Sequence, residues 1–253
     1  MTDQARLDAI IAIARQAGDV IMEYYEGKIE VDEKSDGSPV TAADRAADAV
    51  IVPALRELTP EIPVVSEESV DAGDIPDVTG GTFWLVDPLD GTKEYINRNG
   101  DFTVNIGLIV DGVPKLGVLM TPVNGLAWAG IIGEGAFEEA ADGTRHPITV
   151  RAPDPNALVV VASRSHRSPE LENYIAARPV KESISRGSAL KFCLVARGEA
   201  DLYPRTGPTM EWDTAAGHAV LLAAGGSMEM FEGGEFRYGK PKFLNGWFVV
   251  RGG

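Results

Sequence analysis

The run Phe83-Trp84-Leu85-Val86-Asp87-Pro88-Leu89-Asp90-Gly91-Thr92 constrains this chain more than any other stretch. Its four consecutive apolar residues, bounded upstream by Gly80-Gly81, read as a buried β-strand. Such a strand delivers two carboxylates and then turns at glycine, which aims both acids into one small space. Neighbouring carboxylates repel unless a proton or a cation sits between them. A divalent metal resolves the repulsion, because hard cations take carboxylate and carbonyl oxygens. The same residues also fit a plain strand end followed by Asp-Pro and Asp-Gly turn signals.

Three more acidic islands stand at the ends of expected elements. Asp44 closes Thr41-Ala42-Ala43-Asp44 at a helix start, a pattern that resembles a capping box. Glu67-Glu68 follow the short strand expected over 63–66, and alone they fit a solvated loop pair. Asp213 precedes Thr214-Ala215-Ala216-Gly217-His218, where its default role is a helix N-cap. Each acid follows an apolar strand or opens a helix with small residues, which is where ligands of a shared site are placed.

The chain has 253 residues, 44% of them hydrophobic, enough for one large domain or two modest ones sharing a core. Its 38 acids against 23 bases give a net charge of −15, which argues against binding nucleic-acid polymers or anionic membrane surfaces. An anionic small substrate would then need local cations to reverse the field. The single cysteine, Cys193, excludes an intramolecular disulfide and reads as a packed core thiol. The N-terminus is amphipathic, not signal-like, and no apolar run reaches the length of a membrane span. The expected compartment is the cytosol, and any association with the inner membrane would be peripheral.

Hydrophobic spacing predicts a helix over 3–26 and a charged loop over 32–40. A second helix is expected from Thr41 to about Leu58, kinked or broken at Pro53, and an acidic loop over 69–80. Strands follow over 102–110, 116–120 and 127–132, with turns at Asp111-Gly112 and Asp142-Gly143. Residues 151–157 mark the best internal boundary, dividing the chain into 1–152 and 153–253. Beyond it come a strand over 158–162, helices near 168–177, 188–197 and 214–224, and strands near 228–231 and 247–251. Gly187-Ser188 opens one of these helices, with Lys191 three residues on. That group fits either an ordinary N-cap with a surface lysine or an anion site of free amides, hydroxyl and ammonium.

Taken together and in order, Val40-Thr41-Ala42-Ala43-Asp44, Ser66-Glu67-Glu68, the run from Trp84 to Thr92 and Glu211-Trp212-Asp213-Thr214-Ala215-Ala216-Gly217-His218 resemble the lithium-sensitive inositol monophosphatase superfamily. Residues 93–105, residues 187–196, and Leu202-Tyr203-Pro204-Arg205 with Gly207-Pro208-Thr209 resemble its bacterial 3′(2′),5′-bisphosphate nucleotidase branch. The resemblance implies a mixed α/β fold layered α-β-α-β-α. It implies an N-terminal α+β metal-binding domain over 1–152 and a C-terminal α/β domain over 153–253 that completes the active site.

The implied activity is a lithium-sensitive, magnesium-dependent phosphatase with about two to three magnesium ions per site. Its substrate would be a small phosphorylated nucleotide, adenosine 3′,5′-bisphosphate, with 3′-phosphoadenylyl sulfate as a second candidate. The 3′-phosphate would be removed to clear a by-product of sulfate activation. An inositol-1-monophosphatase or a broad sugar-phosphate phosphatase is the alternative within the superfamily. By motif position, Glu67, Asp87 and the Leu89 carbonyl would hold one metal, and Asp87, Asp90 and Asp213 a second. Glu67 would also anchor a third metal, and Asp44 and Thr92 would position or deprotonate the attacking water. Ser188, Lys191 and Arg205 would hold the 5′-phosphate, and His166 would lie near the base or ribose. Gly91, Thr92 and Asp213 would also touch the substrate.

The chemistry accounts for so many acids. Enzymes accelerate monoester hydrolysis by up to ~10²¹, and a lone general base supplies only ~10²–10⁴. The bulk must come from charge stabilisation. A haloacid-dehalogenase-like route needs a nucleophilic Asp two residues before Asp90, and Pro88 stands there.

Overall fold

The computed structural model describes residues 1–27, 29, 31–33, 39–163 and 168–253. Helix α1 (Asp3–Tyr25) is capped by Thr2, whose hydroxyl accepts the Ala5 N–H at 3.2 Å. Its buried stripe is Leu7, Ile10, Ile11, Ala14, Ala17 and Ile21. Where a charged loop was expected, β1 (Val31–Glu33) and β2 (Pro39–Thr41) pair as an antiparallel ribbon. Helix α2 (Ala42–Leu58) runs unbroken through Pro53. The expected break is absent because Pro53 is exposed, while Ala47, Ile51 and Leu55 anchor the helix to the core on both sides of it.

Both helices cover one face of a seven-stranded sheet. Its strands are β3 (Val64–Ser66), β4 (Thr82–Asp90), β5 (Thr103–Val110), β6 (Val113–Thr121), β7 (Leu126–Ile131), β8 (Gly135–Glu139) and β9 (Arg145–Ile148), adjacent in chain order. Only β3 and β4 pair in parallel. Short helices α3 (Glu67–Asp71) and α4 (Thr92–Ile96) leave the ends of β3 and β4, so the expected acidic loop begins as a helical turn. Along β4, Trp84 and Val86 face α1 and α2, and Phe83 and Leu85 face the other way. Burial on both faces is why this strand reads as one apolar run.

On the opposite face lie α6 (Leu190–Ala196) and α7 (Glu211–Ala223). Beyond them a five-stranded sheet has the order β11-β10-β12-β14-β13. It comprises β10 (Leu158–Ser163), β11 (Val180–Arg186), β12 (Leu202–Arg205), β13 (Ser227–Met230) and β14 (Phe248–Arg251). Helix α5 (Pro169–Ala176) closes its far side, with Tyr174 and Ile175 on Val160, Leu202 and Val249. The layers are therefore α-β-α-β-α, the fold class the motifs implied. The core between the sheets mixes both halves of the chain, Phe83, Leu85 and Trp128 packing with Phe192, Trp212 and Phe248.

Three glycines set how closely α7 approaches the large sheet. Gly107, Gly117 and Gly130 align across β5, β6 and β7. A Cβ on Gly107 would lie 2.9 Å from the Ala216 nitrogen, one on Gly117 2.9 Å from the Ala216 Cα, and one on Gly130 2.7 Å from the Ala223 Cβ. The helix thus lies in a trough that no side chain can share. It also starts earlier than its apolar pattern suggested, at Glu211. Asp213 therefore sits inside the first turn, with Met210 as the N-cap.

Candidate active site

Parallel pairing sets Ser66 opposite Val86, so Glu67 and Asp87 leave the same end of the sheet side by side. Pairing of β4 with β5 then slips: Asp87 faces Asn105 and Asp90 faces Thr103. The extra residue forms a bulge, which re-aims the side chains that follow. Asp87 Oδ1 accepts the Leu89 N–H at 3.0 Å. Gly91 turns the chain at φ 97, and a Cβ there would lie 3.0 Å from the Asp101 carbonyl, so only glycine fits this turn.

Asp44 forms the expected capping box. Its Oδ2 accepts the Thr41 N–H at 2.8 Å and the Thr41 hydroxyl at 2.6 Å. Its Oδ1 accepts the Thr92 hydroxyl at 3.1 Å, and Thr92 Oγ1 is 3.4 Å from the Leu89 carbonyl. Asp90 Oδ2 accepts Asn105 Nδ2 at 3.2 Å and the Ala189 N–H at 2.5 Å. Asp213 Oδ2 accepts the Met210 N–H at 2.9 Å.

A cavity of about 360 Å³ gathers most of these groups. Glu67, Asp90 and Asp213 line it, and so do Gly91, Thr92, Ser188, Lys191 and Arg205. Asp44, Asp87 and Leu89 lie behind the lining, linked to it through Thr92 and the Leu89 peptide. His166 lies outside the described residues.

The cations are held differently from the acids. Lys191 is buried, donates to the Ser188 carbonyl and lies 5.3 Å from the centre of the Tyr203 ring. Arg205 is buried too, donating Nη2 to the Pro208 carbonyl at 3.0 Å, and its Nε has no hydrogen-bond partner. Two of the amides near Gly187 are taken by acids. Gly187 N–H donates to Asp101 Oδ2 at 3.3 Å, and Ala189 N–H to Asp90. Ser188 adopts φ 45, the left-handed region, and α6 starts two residues later at Leu190. The second wall of the site therefore offers a hydroxyl, an ammonium and a guanidinium.

The charges strain against one another. Burial pushes the Asp90 carboxyl up, with Lys191 and the Asn105 and Ala189 donors pulling it back. Burial, Asp90 and Glu67 together push Asp213 well above the usual carboxylate range. Burial lowers Lys191 to about 8 despite Asp90 beside it. Glu67 also brings a carboxylate oxygen within 4.8 Å of Glu68 and Asp71. Asp90 and Asp213, both raised in pKa and with Glu67 close by, fit a hard divalent cation, which would relieve their repulsion.

Asn105 and Asp101 take part without having been singled out. A signal for Asn105 was there: it is a fully buried amide in an otherwise apolar strand, and its Oδ1 has no partner. His218 is buried against Tyr238, with Nδ1 3.1 Å from the phenol oxygen.

Residues 3–247 match the model of the inositol monophosphatase family. The chain belongs to that family. Among its curated members, the 3′(2′),5′-bisphosphate nucleotidase CysQ of Escherichia coli strain K12 is 49% identical over 247 residues, covering 96% of this chain and 98% of that protein. The protein of the same name from Buchnera aphidicola is 41% identical over 249 residues, covering 96% of this chain and 92% of that one. The crystal structure of CysQ from Bacteroides thetaiotaomicron superposes with a TM-score of 0.81 at 41% identity, covering 99% of this chain and 98% of that one. An inositol monophosphatase from Anabaena superposes with a TM-score of 0.79 at 28% identity, covering 99% and 91%. No helix among the described residues is long and apolar enough to cross a membrane.

Proposed function

We propose that this chain is a magnesium-dependent 3′(2′),5′-bisphosphate nucleotidase acting on the 3′-phosphate of adenosine 3′,5′-bisphosphate. Its nearly full-length likeness to curated bisphosphate nucleotidases supports a phosphatase of this type. One observation carries the finer reading: two buried cations, Lys191 and Arg205, share a cavity with Glu67, Asp90 and Asp213. A substrate with two separate phosphates satisfies both sets, whereas a monophosphate brings no second phosphate to the buried cations.

Magnesium held by Glu67, Asp87, the Leu89 carbonyl, Asp90 and Asp213 would neutralise phosphoryl oxygens and acidify the attacking water. The chain's own groups do the rest. The Thr92 hydroxyl donates a hydrogen bond to Asp44 Oδ1, which leaves its oxygen lone pairs to orient water. Asp44 Oδ2 is occupied by Thr41, so Oδ1 is the oxygen that takes up a proton arriving through Thr92. Ser188, Lys191 and Arg205 hold the 5′-phosphate, and Gly91 lines the same cavity and touches the substrate. Residues 1–152 contribute most of the acids, and 153–253 contribute Asp213 and the cations.

The test is a panel of adenosine 3′,5′-bisphosphate, 3′-phosphoadenylyl sulfate, inositol 1-phosphate and fructose 1,6-bisphosphate with magnesium. Lys191→Ala should reduce kcat/KM for adenosine 3′,5′-bisphosphate far more than for inositol 1-phosphate. Equal losses on both would remove the second-phosphate assignment.

A further inference from the structure

The first turn of α7, which carries Asp213, is braced from outside the helix by one amide side chain. Asn245 is 7% exposed. Its Nδ2 lies 2.6 Å from the Met210 carbonyl, 3.1 Å from Thr214 Oγ1 and 3.2 Å from Thr209 Oγ1. A carbonyl oxygen cannot donate, so the Asn245 atom facing Met210 must be the nitrogen, and the amide has one allowed orientation. The Asn245 backbone N–H also donates to the Thr209 carbonyl at 2.9 Å.

Met210 grips Asp213 from both sides. Its N–H donates to Asp213 Oδ2 at 2.9 Å, and its carbonyl accepts the Asp213 N–H at 3.2 Å. The same carbonyl takes the Asn245 amide. A second brace lies one residue on: fully buried Glu211 accepts the Gly239 and Lys240 N–H groups at 2.8 and 2.9 Å and pairs with Lys240 Nζ at 2.8 Å. The segment from Gly239 to Asn245 thus clamps the start of α7 at two points.

We infer that Asn245 is a positioning residue for Asp213. By fixing the Met210 peptides it sets which carboxylate oxygen is occupied within the protein and the angle at which the other is offered to a cation. The inference rests on the reading of Asp213 as a metal ligand. Outer partners of this kind orient ligands, and losing one costs about 10–100-fold in metal affinity or activity.

The test is calorimetric titration of magnesium chloride alone into the nucleotide-free protein, well below its melting temperature, with melting followed separately. Asn245→Ala should weaken magnesium binding roughly 10- to 100-fold, and its lost phosphatase activity should return as magnesium is raised. A purely structural role would lower Tm and leave the affinity of the folded protein unchanged, and that result overturns the inference. If Asn245→Ala does not fold, Asn245→Leu, similar in size and without a donor for Met210, is titrated instead: weakened binding supports the inference and wild-type affinity overturns it. Asp213→Asn separates the two readings. If it binds magnesium as the wild type does, the ligand assignment falls and this inference falls with it. If it binds weakly while Asn245→Ala binds normally, only the positioning role falls.

Discussion

Toward α1 and α2 the large sheet presents Trp84, Ile106, Leu108, Val118 and Met120; toward α7 it presents Gly107, Gly117 and Gly130. The first face is filled by side chains that can trade volume with their neighbours. The second also carries side chains such as Phe83, Leu85 and Trp128, but where α7 crosses it the sheet backbone meets the helix directly. Large apolar side chains supply stability through buried area, but they hold a helix only as well as their rotamers do. The glycine trough holds α7 by main-chain atoms, and the turn at its start carries Asp213 into the cavity. One face supports the fold, and the other sets the site.

The largest effect should come from the residue the trough positions. Asp213→Asn should lower phosphatase turnover at least about 100-fold, some 2.7 kcal/mol of transition-state stabilisation. It should also raise the Tm of the metal-free protein, because it removes a carboxylate crowded by Asp90 and Glu67. Steady-state kinetics and metal-free melting curves check both, and turnover near wild type would detach α7 from the chemistry.

Next comes the trough itself. In Gly117→Ala the new methyl would stand 2.9 Å from both the Ala216 Cα and its carbonyl oxygen. These are main-chain atoms, so α7 must shift, at about 1–3 kcal/mol of stability together with loss of activity. Stability loss by urea titration with kcat intact would show that the helix tolerates displacement.

A smaller, pH-dependent effect should come from the side of α7 that packs on Tyr238. Burial, with Lys240 adding to it, lowers His218 to about 3, so the folded protein keeps it neutral. The unfolded chain protonates it below about 6.5. Stability is therefore full above that value and drains as pH falls toward about 3, because the unfolded state binds the extra proton. Urea midpoints between neutral and acidic pH should fall less steeply in His218→Gln; identical slopes would mean that carboxylates alone carry the dependence.

The smallest effect belongs to the other face. Ile106→Val should cost about 0.5–1.5 kcal/mol and leave kcat unchanged. A loss of kcat there would erase the distinction between the two faces.

Much of this was legible from residue order. Burial on both faces made β4 a continuous apolar run, and the 3.6-residue stripe of α1 located that helix to within a residue or so. The capping box at Thr41 and Asp44 was readable because it is local. Strand β11 was not read, because its sequence Val-Lys-Glu-Ser-Ile-Ser-Arg lies at an exposed sheet edge with little apolar signal. The ribbon of β1 and β2 was hidden among charges for the same reason. Pro53 does not break α2, since propensity counts the lost hydrogen bond but not the buried stripe that keeps the helix together.

Residue order alone specified which residue types meet the site: acids at strand and helix ends, glycine at the turn after Asp90, and small residues along α7. These follow from rules that act within a few residues. It took the packed layers to show that three glycines from separate strands form one trough, that the Gly187 and Ala189 amides serve Asp101 and Asp90, and that Asn245 reaches back to the turn holding Asp213. Those outcomes depend on strand register and on contacts between residues tens of positions apart. No local pattern encodes them, because the energy that selects them appears only when the layers close.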